Sequence, residues 1–127
     1  MTALTPVGLI PIAVSEYDLG WIVGILEGEG TFVLLRSGGG RRYYSQVGVT
    51  QKDPWLLYRF IELLGCGHIS LDSDRVYRWY IRGGKARELI RLVMPYLSPR
   101  RQKQAQRALN DGTIPIVPTC RVTRFGT

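Results

Sequence analysis

The chain has few of the residues that build disulfide-linked or metal-stabilised folds. Its 127 residues include two cysteines, Cys66 and Cys120, and a single histidine, His68. The cysteines share no CxxC spacing, and with one histidine they cannot complete a four-ligand zinc site. We therefore expect two reduced thiols in an intracellular protein rather than a disulfide.

Long hydrophobic runs are also absent. No apolar stretch approaches the ~20 residues of a membrane-spanning helix, so no membrane partner is expected. Residues 1–14 are mildly apolar, but they hold two prolines and no basic residue, so they do not resemble a signal peptide. Since 45% of the residues are hydrophobic, a globular fold is expected. We divide the chain into an N-terminal extension (1–14), one domain (15–112) and a C-terminal tail (113–127).

Acidic residues are scarce. The sequence has 10 Asp and Glu against 17 Lys and Arg, a net charge of +7. Residues 100–107 carry four basic side chains and no acid. A basic excess of this size favours a polyanionic partner, because binding releases the counterions of that partner.

The apolar spacing and the turn residues predict an α-β-β-α-β-β-α-α order. The first helix is predicted over 16–27, with Ser15 as its N-cap and glycines at its end. The remaining elements are predicted at 31–36, 43–51, 54–65, 67–71, 76–82, 85–94 and 99–110. Two hairpins can join as one antiparallel sheet with helices on one face, which is an α+β fold. The three tryptophans are predicted to lie in the core.

The second predicted strand has one apolar and one polar side. Alternation directs Val47 and Val49 to the core. The opposite side then carries Arg42, Tyr44, Gln46 and Thr50. Polar outward faces are usual for antiparallel sheets, so a merely solvated surface is one interpretation. A surface that meets a polar partner is the other, since two-stranded ribbons fit the DNA major groove.

The most apolar helix ends in glycines and acids. In WIVGILEGEGTF, residues 21–32, two carboxylates at Glu27 and Glu29 stand among Gly24, Gly28 and Gly30. Acids are unfavourable at a helix C-terminus, so Glu29 is better explained by function than by structure. Gly24 and Gly28 are four residues apart on one helix face, a spacing that lets a second helix approach closely.

This segment carries a family resemblance. Residues 22–30, IVGILEGEG, resemble the LAGLIDADG motif of homing endonucleases position for position. The segments VTQK at 49–52, GCG at 65–67 and RQKQA at 101–105 are similar to segments of single-motif members. The resemblance covers roughly residues 18–109. It implies an αββαββα fold with a four-stranded antiparallel saddle sheet, helices on one face and a short C-terminal helix.

The resemblance also implies residue roles. Glu29 matches the metal-binding acid, with Gly28 beside it, and the implied cofactor is Mg²⁺ or another divalent cation such as Mn²⁺ or Ca²⁺. No small-molecule cofactor is implied. Glu27 matches an earlier, structural acid, and Gln51 matches a glutamine that orients solvent. Arg101 matches a basic residue near the cleaved phosphate that is often Lys, and Arg retains the charge but not the proton transfer.

One copy of the motif implies a homodimer on double-stranded DNA, with a long pseudo-palindromic target. The predicted dimer interface comprises Leu19, Ile22, Val23, Gly24, Leu26 and Glu27. The predicted base-contacting side chains are Thr31, Val33, Leu35, Arg42, Tyr44, Gln46, Ser70, Arg78 and Tyr80. We expect Arg78 to read guanine and Gln46 to read adenine. Arg100, Lys103 and Arg107 are assigned to phosphates or to a solvated helix face.

Three functions remain compatible with the sequence. The first is a metal-dependent, site-specific DNA endonuclease that cuts both strands, and the presence of Glu29 and Gln51 favours it. The second is a DNA-binding regulator of the same fold without cleavage, which Arg101 in place of Lys keeps open. The third is an RNA maturase that assists intron splicing. Each of these functions places the protein inside the cell.

Overall fold

The computed structural model describes residues 3–4, 14–37, 42–72 and 75–109. The centre of the predicted glycine-rich turn, the end of the turn expected at 72–74 and the C-terminal tail lie outside the described residues. So does most of the N-terminal extension. No helix in the described part of the chain is long and apolar enough to cross a membrane.

The predicted α+β class and element order are confirmed. A short strand pair, not predicted from the sequence, precedes the domain, and its members are β1 (Ala3–Leu4) and β2 (Val14–Ser15). The first half of the domain contains α1 (Glu16–Glu29), β3 (Gly30–Arg36) and β4 (Tyr43–Gln51). The second half contains α2 (Trp55–Leu64), β5 (His68–Leu71), β6 (Tyr77–Arg82), α3 (Gly84–Val93), a 3₁₀ turn (Met94–Tyr96) and α4 (Pro99–Leu109).

The two hairpins form one antiparallel sheet in the order β3-β4-β6-β5. Strands β4 and β6 lie at its centre and join the hairpins. Helix α3 packs against β4 and β6, and α4 packs against the edge strand β3. The helices thus cover one face of the sheet, as the sequence predicts.

Local signals set the helix boundaries. The Ser15 hydroxyl accepts a hydrogen bond from the Asp18 amide at 3.1 Å, which confirms it as the N-cap of α1. Helix α1 continues two residues beyond the predicted end and stops where the Gly30 amide donates to the Leu26 carbonyl. Helix α2 ends at Gly65, whose φ of 71° lies in the left-handed region that glycine favours.

The core lies between the helices and the inner face of the sheet. Phe60 of α2 stacks on Trp79 of β6 with ring centroids 4.8 Å apart. The Trp79 indole donates a hydrogen bond to the Cys66 carbonyl at 3.2 Å. Cys66 is a free buried thiol, and its burial raises its pKa. The prediction that Trp55 lies in the core is wrong: it begins α2 at 63% exposure, on the side of the helix opposite the inward stripe formed by Leu57, Phe60 and Leu64.

The backbone at Gly67 admits no side chain. Its φ is +117°, and a Cβ there would overlap the Trp79 indole. We expect Gly67→Ala to lower the free energy of unfolding by roughly 2–4 kcal/mol through backbone strain and overpacking. Denaturant unfolding measures the change. Gly83→Ala is the control for backbone strain without overlap, because Gly83 has a φ of +69° and a ψ of −134° with no atom near its Cβ position, and a loss of about 1–3 kcal/mol is expected. Equal losses in the two variants would contradict this account of Gly67.

Candidate nucleic-acid interface and active site

The uncovered face of the sheet is lined by alternate residues of all four strands. We call it the polar sheet face, and its members are Thr31, Val33, Leu35, Tyr44, Gln46, Gly48, Thr50, His68, Ser70, Arg78, Tyr80 and Arg82. Cross-strand partners such as Thr31 and Gly48 lie on the same side of a sheet. The other side buries Val47 and Val49, so the alternation predicted for β4 is confirmed without a register slip.

Eight of the predicted base-contacting residues lie on this face. The ninth, Arg42, is exposed one residue before β4, where its carbonyl accepts a hydrogen bond from the Ser37 amide at 2.7 Å. On β6, the Arg78 guanidinium lies 3.9 Å from the Asp72 carboxylate and 5.9 Å from the centroid of the Tyr80 ring. The face therefore presents cationic and aromatic groups together.

Sequence reasoning missed Arg82, which lies near the centre of the polar sheet face. Its guanidinium carbon lies 4.7 Å from the Tyr80 ring centroid and 5.8 Å from the Tyr44 centroid. Its Nε donates a hydrogen bond to Gln46 Oε1 at 2.7 Å. The signal was present, since Arg82 follows Arg78 and Tyr80 at a spacing of two. Gln46 beneath it is only 6% exposed.

The basic residues of α4 lie beside the sheet rather than on its polar face. Arg100, Lys103 and Arg107 are exposed, and α4 packs against the edge strand β3. Cationic groups at a sheet edge suit phosphates that flank a groove, and they carry no base information there.

The three predicted catalytic residues gather at the C-terminal end of α1. Glu29 is the exposed last residue of this helix. The next residue, Gly30, pairs with Val49 of β4, so Gln51, the last residue of β4, lies just beyond it at the same end of the sheet, where it pairs with Tyr77 of β6. The Arg101 Nε donates a hydrogen bond to the Glu27 carbonyl at 2.9 Å, which holds its guanidinium near the same helix end. The Arg101 charge also offsets the negative end of the helix dipole.

Glu27 connects α1 to the start of α4. Its carboxylate accepts hydrogen bonds from the Ser98 amide at 2.9 Å and the Ser98 hydroxyl at 2.6 Å. Burial alone would raise the pKa of Glu27, but the Ser98 hydrogen bonds and the charges of Arg101 and Arg100 together lower it. The Glu27 carboxylate is thus engaged within its own chain, where it supports the helix end that carries Glu29.

This lowered pKa predicts an acid-sensitive contribution to stability. The contribution is complete above the usual Glu pKa of 4.5 and is lost as pH falls through the lower folded-state value. We expect Glu27→Gln to lower the free energy of unfolding by about 1 kcal/mol at pH 7 and by less at acid pH. Denaturant unfolding of both proteins from pH 7 to pH 3 checks this. Glu62→Gln, at an exposed carboxylate beside Arg59, is the control and should show a smaller loss. An unchanged difference between Glu27→Gln and wild type across this pH range would contradict the assignment.

Three of the six predicted dimer-interface residues are buried within the chain. Leu19, Ile22 and Leu26 are 5%, 0% and 0% exposed, because their spacing places them on the inward stripe of α1. The outward face of α1 carries Gly20, Gly24 and Gly28, which we call the glycine stripe. A Cβ at any of the three meets no atom within 4 Å. Of the three remaining predicted positions, Val23 and Glu27 are half-buried and Gly24 is exposed.

The end of α1 offers hard oxygen ligands. No hydrogen bond or ion pair links the Glu29 carboxylate to another residue of the described chain. The adjacent Gly28 carbonyl belongs to the last turn of the helix, where carbonyls lack intrahelical donors. Carboxylate and carbonyl oxygens at the negative end of a helix dipole suit Mg²⁺. No three His, Cys, Asp or Glu side chains cluster for metal binding in residues 14–37, 42–72 and 75–109.

Comparison with known proteins places this architecture in a structural class. No protein-family model matches the sequence. Solved structures do match: the homing endonuclease I-CvuI, bound to the I-CreI target with magnesium present and the DNA uncleaved, has a TM-score of 0.62 at 19% identity. The alignment covers 74% of this chain and 64% of the I-CvuI chain, so the present sequence spans less than two thirds of that protein.

Two further structures share the fold. The archaeal intron-encoded homing endonuclease I-Vdi141I, complexed with DNA, has a TM-score of 0.55 at 26% identity, covering 64% of this chain and 56% of that one. The homing endonuclease I-TnaI has a TM-score of 0.53 at 24% identity, covering 67% and 64%. This chain therefore has the fold of LAGLIDADG homing endonucleases such as I-GzeII, in agreement with the resemblance seen in residues 22–30.

Proposed function

We propose that the chain is one subunit of a homodimeric, metal-dependent, site-specific DNA endonuclease. The observation that carries the proposal is the exposed Glu29 carboxylate at the end of α1, without a partner in the described chain. Gln51 and Arg101 lie at the same end of the helix. An acid at the negative end of a helix costs about 0.3–1 kcal/mol, and a bound cation would offset this repulsion.

The glycine stripe supports the dimer. Two copies of α1 crossing through a two-fold axis form an isologous interface, in which each stripe meets the other. Without side chains, Gly20, Gly24 and Gly28 allow the two backbones to approach closely. Because Glu29 follows Gly28 directly, such a crossing brings the two Glu29 carboxylates together near the axis.

The polar sheet face supports duplex DNA as the substrate. Its arginines and tyrosines suit base edges in the major groove, and the exposed basic residues of α4 suit the flanking phosphates. A net charge of +7 favours the polyanion. Relatives of the fold such as I-CvuI and I-Vdi141I are known in complexes with DNA. With one sheet per subunit, the target is a pair of half-sites related by the dimer axis.

Each residue at the end of α1 has a separate role in the proposed hydrolysis. Hydrolysis joins a water oxygen to phosphorus and breaks the bond to one sugar oxygen, which takes up a proton. Glu29 and the Gly28 carbonyl would hold a divalent cation such as Mg²⁺, which when bound polarises the phosphate and lowers the pKa of coordinated water. The Gln51 amide orients the attacking water through hydrogen bonds. Arg101 stabilises negative charge on the phosphate but transfers no proton.

A cleavage selection tests the proposal. Purified protein is incubated with a randomised palindromic duplex library in magnesium and, in parallel, with a chelator. We expect cuts in magnesium only, at one related set of sequences, on both strands. Selective binding of a duplex without cutting at any site would contradict the endonuclease and favour a regulator of the same fold. A preference for structured RNA over duplex DNA would instead favour a splicing maturase.

A further inference from the structure

The polar sheet face contains one residue that is buried beneath another. Gln46 lies in the central strand β4, opposite Arg82 of β6. Its side chain is almost completely covered, and its Oε1 accepts the hydrogen bond from Arg82 Nε at 2.7 Å. Only the oxygen of an amide can accept from a guanidinium, so this contact also fixes which way the amide points.

The hydrogen bond to Arg82 prevents Gln46 from recognising adenine. Adenine recognition needs both ends of the amide, with the oxygen accepting from the base amino group and the nitrogen donating to N7. Here the oxygen is already occupied and the side chain is covered. The expectation that Gln46 reads adenine is therefore replaced by a different role, which is to hold Arg82.

Three neighbours hold the Arg82 side chain in place. Gln46 binds Nε, while the rings of Tyr80 and Tyr44 lie 4.7 and 5.8 Å from the guanidinium carbon. Cation–π contacts of this kind favour one position for the guanidinium. The Nη1 and Nη2 groups donate no hydrogen bond within the described chain, and the residue is exposed. Four N–H donors are thus without a partner in the described chain, on a side chain that loses little freedom on binding.

We propose that Arg82 specifies one guanine of each half-site, at a different base pair from any that Arg78 contacts, and that Gln46 is its positioning residue. A donor-only pair of nitrogens matches the two acceptors O6 and N7 of guanine and matches no other base equally well. Because Nε is occupied, the bidentate contact uses Nη1 and Nη2. This inference rests on the proposed function, and the two-fold axis places the same guanine in both half-sites.

The test compares bound sequences selected from the randomised duplex library by the wild type, Arg82→Lys and Gln46→Met. We expect one guanine position to lose selectivity roughly ten- to hundredfold in Arg82→Lys, which keeps the charge but not the bidentate fork. Gln46→Met should weaken selection at that same guanine and at no adenine. Replacing the guanine by 7-deazaguanine, which lacks the N7 acceptor, should weaken wild-type binding and weaken Arg82→Lys binding by less.

Arg78→Lys is the matched control, because Arg78 lies on the same strand and the same face without a hydrogen bond to Gln46. It should leave that guanine selected. Loss of an adenine preference in Gln46→Met, or unchanged guanine selection in Arg82→Lys, would overturn this inference while leaving the endonuclease proposal intact. Circular dichroism matching the wild type establishes that the variants fold. Absence of any sequence-selective duplex binding by the wild type would overturn both proposals.

Discussion

Glu29→Gln is expected to bind the duplex target as tightly as the wild type and to cleave it at least about a thousandfold more slowly. The substitution keeps the shape of the side chain and removes the charge that would hold a divalent cation. Metal assistance contributes several kcal/mol to hydrolysis of this kind, and each 1.36 kcal/mol is a tenfold change in rate. Single-turnover cleavage of the selected site, with the protein in excess, measures the loss.

A second measurement determines whether Glu29→Gln loses cation binding as well as cleavage. Calorimetric titration of the protein–DNA complex with Ca²⁺ should show weaker binding for Glu29→Gln than for the wild type. Glu16→Gln, at an exposed carboxylate at the opposite end of the same helix, should leave cation affinity and cleavage unchanged. Cleavage by Glu29→Gln at close to the wild-type rate would remove Glu29 from the active site, whatever the DNA-binding result.

The two faces of the central strand β4 could be predicted from the sequence because its apolar residues alternate with polar ones or glycine. Val47 and Val49 are apolar between polar neighbours, and a period of two assigns a face to every residue of β4. Ser15 and Gly65 mark helix boundaries through their own backbone preferences, and both act as predicted. Signals of this kind are local, since each is carried by a few adjacent residues.

The orientation of α1 could not be predicted in the same way. Its apolar residues cover most of the circumference, so periodicity alone does not distinguish the inward stripe of Ile22 and Leu26 from the rest of the helix. Tertiary packing sets the orientation of α1, because it buries these two side chains and leaves the glycine stripe exposed. The motif identified the helix correctly, but the interface predicted from it includes Ile22 and Leu26, which are buried in the core of the described chain.

The contacts between residues distant in the chain could not be predicted from the sequence either. The hydrogen bond between Arg82 and Gln46 depends on the register between β4 and β6, which no local sequence signal fixes. The contact from Arg101 to the Glu27 carbonyl joins residues 74 positions apart. This contact gives Arg101 a structural role at the end of α1 besides its proposed role at the phosphate. A loss of activity on mutating Arg101 therefore does not by itself identify a catalytic group.

Gly24→Leu is expected to separate the dimer without unfolding the subunit. No atom lies within 4 Å of the Cβ position, and leucine is a better helix former than glycine by about 0.5–1 kcal/mol. The free energy of unfolding of the subunit should therefore rise slightly. In the proposed dimer, two leucines would meet where the backbones approach. Overpacking of roughly 1–3 kcal/mol per copy would weaken association about a hundredfold or more.

Sedimentation velocity across a concentration series measures the association, and cleavage is measured in parallel. Gly24→Ala adds one methyl group and should give an intermediate effect. Glu62→Leu places the same leucine on the exposed surface of α2 and should leave the dimer intact. Cleavage of both strands should fall together with dimerisation, because each subunit supplies one Glu29. A Gly24→Leu protein that stays dimeric and active would show that the glycine stripe is not the interface, and the two carboxylates would then have to meet by another route or act singly.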